Sequence, residues 1–188
     1  QRLLRDTGKT MTGDITPSYA ALDPATLHEI RRELDGAGFE IRVIFLMRDP
    51  VERLWSAVRH ERRMLLNNTE KTLADLPSEA DQVAQSLQSP ETELRSRYDR
   101  TVRNIETVFD PAAVYFGFFE TMFTEPALRD LAGFLDVPVL PDLLRTRVNA
   151  TPAETLLPKA LRRRIRDHYA PVYTFCHDRF PQTRDLWE

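Results

Sequence analysis

Hydrophobic and polar positions along the chain switch between two periods, and the switches outline a set of helices and strands. Leu27, Ile30 and Leu34 recur at helical spacing and predict a helix over 24–35, ended by Gly36 and Gly38. The run Ile41-Arg42-Val43-Ile44-Phe45-Leu46-Met47 is short, almost wholly apolar and β-branched in part. It predicts a strand covered on both faces, as in a parallel sheet. A helix start follows. Asp49 can cap, Pro50 suits the first helical position, and Glu52 completes a capping box, so a helix is predicted to about Leu66. Residues 67–90 are polar, contain Pro77 and Pro90, and predict a long loop with room for one short helix. Leu94, Tyr98, Val102, Ile105 and Phe109 predict a helix from Glu91 to Phe109, and Val114 to Phe119 a second buried strand. Pro126 opens a helix through Leu128, Leu131, Phe134 and Leu135. Residues 136–157 are loop, and Pro158 opens a last long helix through Leu161, Ile165, Tyr169, Val172 and Phe175. Residues 1–20, with Gly8, Gly13 and Pro17, predict an irregular opening segment.

The order of strands and helices is that of an α/β protein, a parallel sheet flanked by helices, and 188 residues suit a single domain over 1–188. In such sheets ligands bind beyond the carboxyl ends of the strands. With 41% hydrophobic and 29% charged residues the chain has the balance of a globular protein. Its net charge of −3 gives no general attraction for nucleic acid, so an anionic ligand must be held by local positive charge. The single cysteine, Cys176, excludes an internal disulfide and lies in an apolar helical pattern, which reads as a core thiol. No apolar run approaches the ~20 residues of a membrane span, and no signal peptide opens the chain. These features predict a cytoplasmic protein. The chain starts at Gln1 rather than Met, which suggests a native N-terminus further upstream. His28, His60, His168 and His177 show no metal-ligand spacing.

The candidate chemistry lies at the end of the first strand. Arg48 emerges at its carboxyl end, and the helix beginning at Asp49 places an N-terminus, which attracts anions, at the same point. Ser56 lies two turns up that helix on the same face. A guanidinium and a nearby hydroxyl make a phosphate site. The alternative is a surface ion pair from Arg48 to Asp49 or Glu52, with Ser56 an ordinary helix residue.

The wording of this segment favours the first reading. Val43-Ile44-Phe45-Leu46-Met47-Arg48-Asp49-Pro50-Val51-Glu52-Arg53-Leu54-Trp55-Ser56 closely resembles the 3′-phosphate motif of sulfotransferases that use 3′-phosphoadenosine 5′-phosphosulfate (PAPS). Other stretches agree in order. Gly13-Asp14-Ile15-Thr16-Pro17-Ser18-Tyr19 is similar to the family's Gly-Glu-Lys-Thr-Pro-Ser-Tyr segment. Arg95-Ser96-Arg97-Tyr98 resembles an Arg-Ser-x-Tyr stretch of the heparan-type members. Val114 to Phe119 with Glu120, Phe134 and Leu135, and Tyr169, Pro171 and Trp187 near the end, resemble later family features. The resemblance implies a P-loop-NTPase-like fold and transfer of a sulfuryl group from PAPS to a hydroxyl or amine acceptor, leaving 3′,5′-adenosine diphosphate (PAP). The acceptor would be a small molecule, a lipid or a sugar, and no metal would be needed. Arg48 and Ser56 would hold the 3′-phosphate. Arg147 and Asn149 occupy the place of a late loop that closes over the same region in the family, and would add cofactor contacts.

The chain also departs from the family. The Lys-x-Gly-Thr-Thr turn that holds the 5′-phosphosulfate is absent; Thr7-Gly8-Lys9-Thr10 follows no buried strand. Its lysine and the general base are expected upstream of Gln1. Ile15 stands where many heparan-type members have Lys, which argues against a highly anionic polysaccharide acceptor. Asp14 replaces the usual Glu. It reads either as an acceptor-side catalytic group or as a turn residue beside Thr16. The arginines of Arg59-His60-Glu61-Arg62-Arg63 and Arg162-Arg163-Arg164-Ile165-Arg166 read as solvated helix faces, Arg59 alone being within reach of the cofactor. Two other readings stay open: a degenerate module that binds PAP without transfer, and a nucleotide kinase-like enzyme of related fold.

Overall fold

Pro24 fixes the start of the first helix, α1 (Pro24–Gly36), and the Asp23 carboxylate caps it by accepting from the Thr26 amide at 2.8 Å. Gly38, at φ +80°, turns the chain out of the helix, and the Phe39 amide donates back to the Leu34 carbonyl at 3.0 Å. The computed structural model describes residues 10–139 and 157–187. After α1 come β1 (Val43–Met47), α2 (Pro50–Asn68), α3 (Glu79–Ser86), α4 (Pro90–Ser96), α5 (Tyr98–Val108) and β2 (Val114–Phe118). Then follow α6 (Glu125–Leu135), α7 (Lys159–His168), α8 (Ala170–Arg179) and α9 (Thr183–Leu186). Among the described residues β1 and β2 form one two-stranded parallel sheet, in register from Val43 opposite Val114 to Met47 opposite Phe118. The protein is therefore mixed α/β, mostly helical around a small parallel sheet.

The main core lies between one face of the sheet and the helices. It joins Met47 of β1, Val51, Leu54 and Val58 of α2, Tyr98 and Val102 of α5, Ile165 of α7, Val172, Tyr173 and Cys176 of α8, and Trp187. Cys176 is fully buried, as its pattern predicts, and burial pushes its thiol up to about 12. A smaller cluster of Ile105, Val108 and Phe109 packs against Leu27, Ile41 and Val43, and Arg31 donates to the Val108 carbonyl, which fixes α1 to α5. The opening segment is held on α5 by two side chains. Thr101 donates to the Ala20 carbonyl at 2.7 Å and Asn104 to the Leu22 carbonyl at 2.9 Å.

Three expectations are corrected. The strand predicted to be covered on both faces is covered on one: Ile44 and Leu46 remain 39% and 40% exposed on the other. An apolar run reports hydrophobicity, not which partner reaches it; on that face Tyr115 meets Phe134 of α6 at a ring separation of 5.5 Å. The helix predicted over 91–109 breaks at Arg97, whose backbone (φ −79°, ψ 65°) leaves the helical region. There the Arg97 guanidinium donates to both oxygens of Asp99, each at 2.9 Å, in the first turn of α5. The last helix breaks at Tyr169, because Pro171 brings no amide hydrogen and its ring crowds the carbonyl four residues back. The short helix for which the polar 67–90 stretch leaves room forms as α3. Ser78 caps α3 by accepting from the Asp81 amide at 3.1 Å, and Arg62 of α2 donates to Gln82 at 2.8 Å. Val83, with no exposed surface, supplies its apolar anchor.

Trp187 is 1% exposed although it stands near the end of the chain, and its ring meets those of Tyr98, Phe118 and Tyr173 at 6.0, 6.0 and 6.1 Å. Trp187→Ala should therefore lower unfolding stability by about 3–5 kcal/mol, read from the midpoint of urea unfolding. A loss under about 1 kcal/mol would show that the terminal segment is an appendage rather than part of the core.

Candidate functional site

The turn from β1 into α2 is built on Asp49. Its carboxylate accepts from the amides of Val51 at 2.7 Å and Glu52 at 3.2 Å, and from the Tyr173 hydroxyl at 3.0 Å. Pro50, which has no amide, fills the first helical position between them. The predicted capping box is completed by a different residue. The Asp49 amide donates not to Glu52 but to Glu120 Oε1 at 2.8 Å, from the turn after β2. Tyr98 of α5 adds another tie, its hydroxyl donating to the Arg48 carbonyl at 2.9 Å. The carboxyl ends of both strands and the start of α2 are thus joined at one point. Burial raises the Asp49 carboxyl above its ordinary value, only partly offset by the hydrogen bonds it accepts.

Arg48 projects from this junction. Its side chain is 23% exposed, its guanidinium lies 4.3 Å from the centre of the Phe119 ring, and its nearest carboxylate is Glu52 at 3.9 Å. Burial pulls this guanidinium down from its ordinary value, against the opposing pull of Glu52 and Glu120. Glu52 is shared: its other oxygen accepts from Arg162 of α7 at 2.5 Å. Beside them opens a cavity of about 450 Å³ lined by Asp49, Glu52, Glu120, Arg162, Arg166 and Leu186. Arg166 stacks 4.9 Å above the Tyr173 ring.

Both main candidates are half-buried on this side of α2 or its approach. Ser56 sits on the second turn, and its hydroxyl makes no hydrogen bond among the described residues. Arg59, one turn further, stacks over Trp55 at 4.5 Å and is close enough to Arg48 to lower its proton affinity. Asp14 is exposed and accepts from the Tyr19 hydroxyl at 2.6 Å and the Thr16 hydroxyl at 2.7 Å. Those bonds hold its carboxyl below the ordinary value, Tyr19 contributing most. Arg147 and Asn149 lie outside the described residues.

Two participants have roles that the sequence does not show. Glu120 and Arg162 reach the junction from 71 and 110 positions away, and no local pattern marks either. Arg59, expected from the sequence to be within reach of the ligand, is near enough to Arg48 to act on its charge. No family model, no curated protein and no solved structure matches the chain.

The donors present fit a phosphate in part. Arg48 and the unengaged Ser56 hydroxyl supply charge and a hydrogen bond. The helix N-terminus does not contribute as predicted, because the amides of Asp49, Val51 and Glu52 are already taken by carboxylates. Among the described residues no group of three or more His, Cys, Asp or Glu could hold a metal ion.

Asp49→Ala removes a cap and leaves the Tyr173 hydroxyl buried without its partner. It should lower stability by roughly 2–4 kcal/mol, whereas Asp49→Asn, which still accepts and carries no buried charge, should stay within about 1 kcal/mol of wild type. Equal losses in urea unfolding would show that charge, not hydrogen bonding, matters at this position.

Asp99 gives a pH signature. The Arg97 guanidinium holds its carboxyl below the ordinary 3.8, against desolvation. A depressed acid stabilises the fold above its unfolded-state value and loses that contribution as pH falls through the folded one. The stability gap between wild type and Asp99→Asn should therefore narrow below about pH 4. A gap constant from pH 7 to pH 3 would remove the ion pair from the account.

Proposed function

We propose that this chain is a PAPS-dependent sulfotransferase-type protein in which Arg48 and Ser56 hold the 3′-phosphate of the nucleotide. The observation that carries the reading is the position of Arg48: at the carboxyl end of a parallel strand, largely buried, 3.9 Å from Glu52 of the cavity lining, and followed by a helix whose Ser56 hydroxyl has no hydrogen-bond partner among the described residues. That position matches the sequence resemblance. The reading implies a P-loop-NTPase-like sheet to which β1 and β2 belong. PAPS, when bound, supplies the sulfuryl group that passes to a hydroxyl or amine of the acceptor. The described residues orient the nucleotide: Arg48 neutralises the phosphate, Ser56 donates to it, and Phe119 keeps one face of the guanidinium dry.

A second reading, a module that binds the nucleotide without transferring its sulfuryl group, is favoured by Asp14. A carboxylate with two hydroxyl donors and a lowered proton affinity makes a poor general base.

Calorimetric titration separates these readings from a kinase-like one. PAP should bind saturably, and Arg48→Ala should weaken it roughly 10- to 100-fold, the worth of a charged hydrogen bond to phosphate. An unchanged affinity in the variant would disprove the assignment of Arg48, and tight binding of ATP with magnesium in place of PAP would point to phosphoryl transfer. If PAP binds, sulfuryl transfer to a panel of hydroxyl and amine acceptors separates enzyme from module.

A further inference from the structure

Three carboxylates line the cavity, and they are held in different ways. Asp49 caps α2 and accepts from Tyr173, while Glu120 accepts from the Asp49 amide. Neither can leave without stripping backbone amides of their acceptor. Glu52 has no such duty. Its backbone belongs to the first turn of α2, but among the described residues its carboxylate meets only guanidinium groups, Arg162 through one oxygen at 2.5 Å and Arg48 through the other at 3.9 Å. It is 29% exposed, so a rotation of its side chain would carry it into water at small cost.

A single carboxylate set between two arginines occupies the place that a phosphate monoester would take. The exchange favours the newcomer: a dianion with three terminal oxygens can fork onto both guanidinium groups at once, whereas Glu52 offers one charge and one oxygen to each. From this we infer that Glu52 is a resident counter-anion which occupies Arg48 and Arg162 until a ligand phosphate displaces it, and that Arg162 then becomes a second cationic contact for that phosphate. The inference rests on the phosphate-site reading and extends it. It assigns Arg162, from a helix read as solvated surface, to the ligand. It makes the site selective for a phosphate monoester dianion over a singly charged group, because only the dianion repays the release of Glu52 from both partners.

The test is calorimetric titration of wild type, Glu52→Gln, Arg162→Met and Arg163→Met with PAP, and with adenosine 5′-monophosphate, which lacks the 3′-phosphate. Arg163 is exposed on the same helix and serves as a control for general charge. Glu52→Gln keeps the shape of the side chain and an acceptor for Arg162, and thermal melting checks that all variants fold. Glu52→Gln should bind PAP about tenfold more tightly and Arg162→Met about tenfold more weakly, with Arg163→Met within about twofold of wild type; adenosine 5′-monophosphate should respond to none of them by more than about twofold. Wild type that binds PAP while Glu52→Gln binds it equally or less tightly overturns the counter-anion role and leaves the site standing. Equal weakening by Arg162→Met and Arg163→Met overturns the direct contact. Binding of PAP by Glu52→Gln alone supports the displacement in its strongest form. Failure of every chain to bind PAP overturns the phosphate reading itself, and the inference with it.

Discussion

Asp49 sits where a parallel strand becomes a helix, and both its side chain and its backbone are committed there. The carboxylate satisfies two amides of α2 and the Tyr173 hydroxyl, while its own amide is satisfied by Glu120. One residue thus joins the ends of β1 and β2, the start of α2 and the face of α8. The direction in which Arg48 leaves the sheet follows from this, because the Phe119 amide holds the carbonyl of the peptide before it and Tyr98 and Glu120 hold the peptide after it. A guanidinium on a long flexible side chain is a poor recognition group unless its root is rigid, and here α2, α5, α8 and the turn after β2 all hold the root at the end of β1.

The same junction shapes the electrostatics. Three carboxylates line the cavity, and Arg48, Arg162 and Arg166 stand beside or within it, so its charges come close to cancelling. A ligand anion would therefore be drawn less by a field than by geometry, which suits a protein whose net charge is −3. Burial works against both signs: it raises the carboxyl of Asp49 and lowers the guanidinium of Arg48. Each charged form is kept by its immediate partners rather than by solvent, which makes their strength sensitive to any ligand that replaces those partners.

Local signals in the sequence carried the start of α2 well. Asp49 and Pro50 have only one sensible place relative to a helix, and the structure puts them there. Helix α1, the two strands and the burial of Cys176 were legible for the same reason: short-range periodicity and capping chemistry. What failed to show was long-range. The acceptor for the Asp49 amide was read as Glu52 from its spacing, yet Glu120 fills the role because the parallel pairing of β1 and β2 sets both strand ends side by side. Arg162 was read as solvated surface because three of four neighbouring arginines must point outward, and nothing local says which one turns in. Pro171 marks the break between α7 and α8, but the apolar period that continues across it masks that signal.

Placing Glu52 in the first turn of α2 while Glu120 and Asp49 serve the amides separates two tasks that one capping box would have merged. Had Glu52 folded back onto the Asp49 amide, its charge would have been fixed in the cap and unable to answer Arg48 or Arg162. Glu120 takes over the backbone duty and leaves Glu52 held only by ion pairs, which break at much lower cost than a buried amide left without an acceptor. The helix start can then stay fully satisfied whether Arg48 faces a glutamate or a ligand. Rigidity at the root and exchange at the tip are compatible here because different carboxylates carry them.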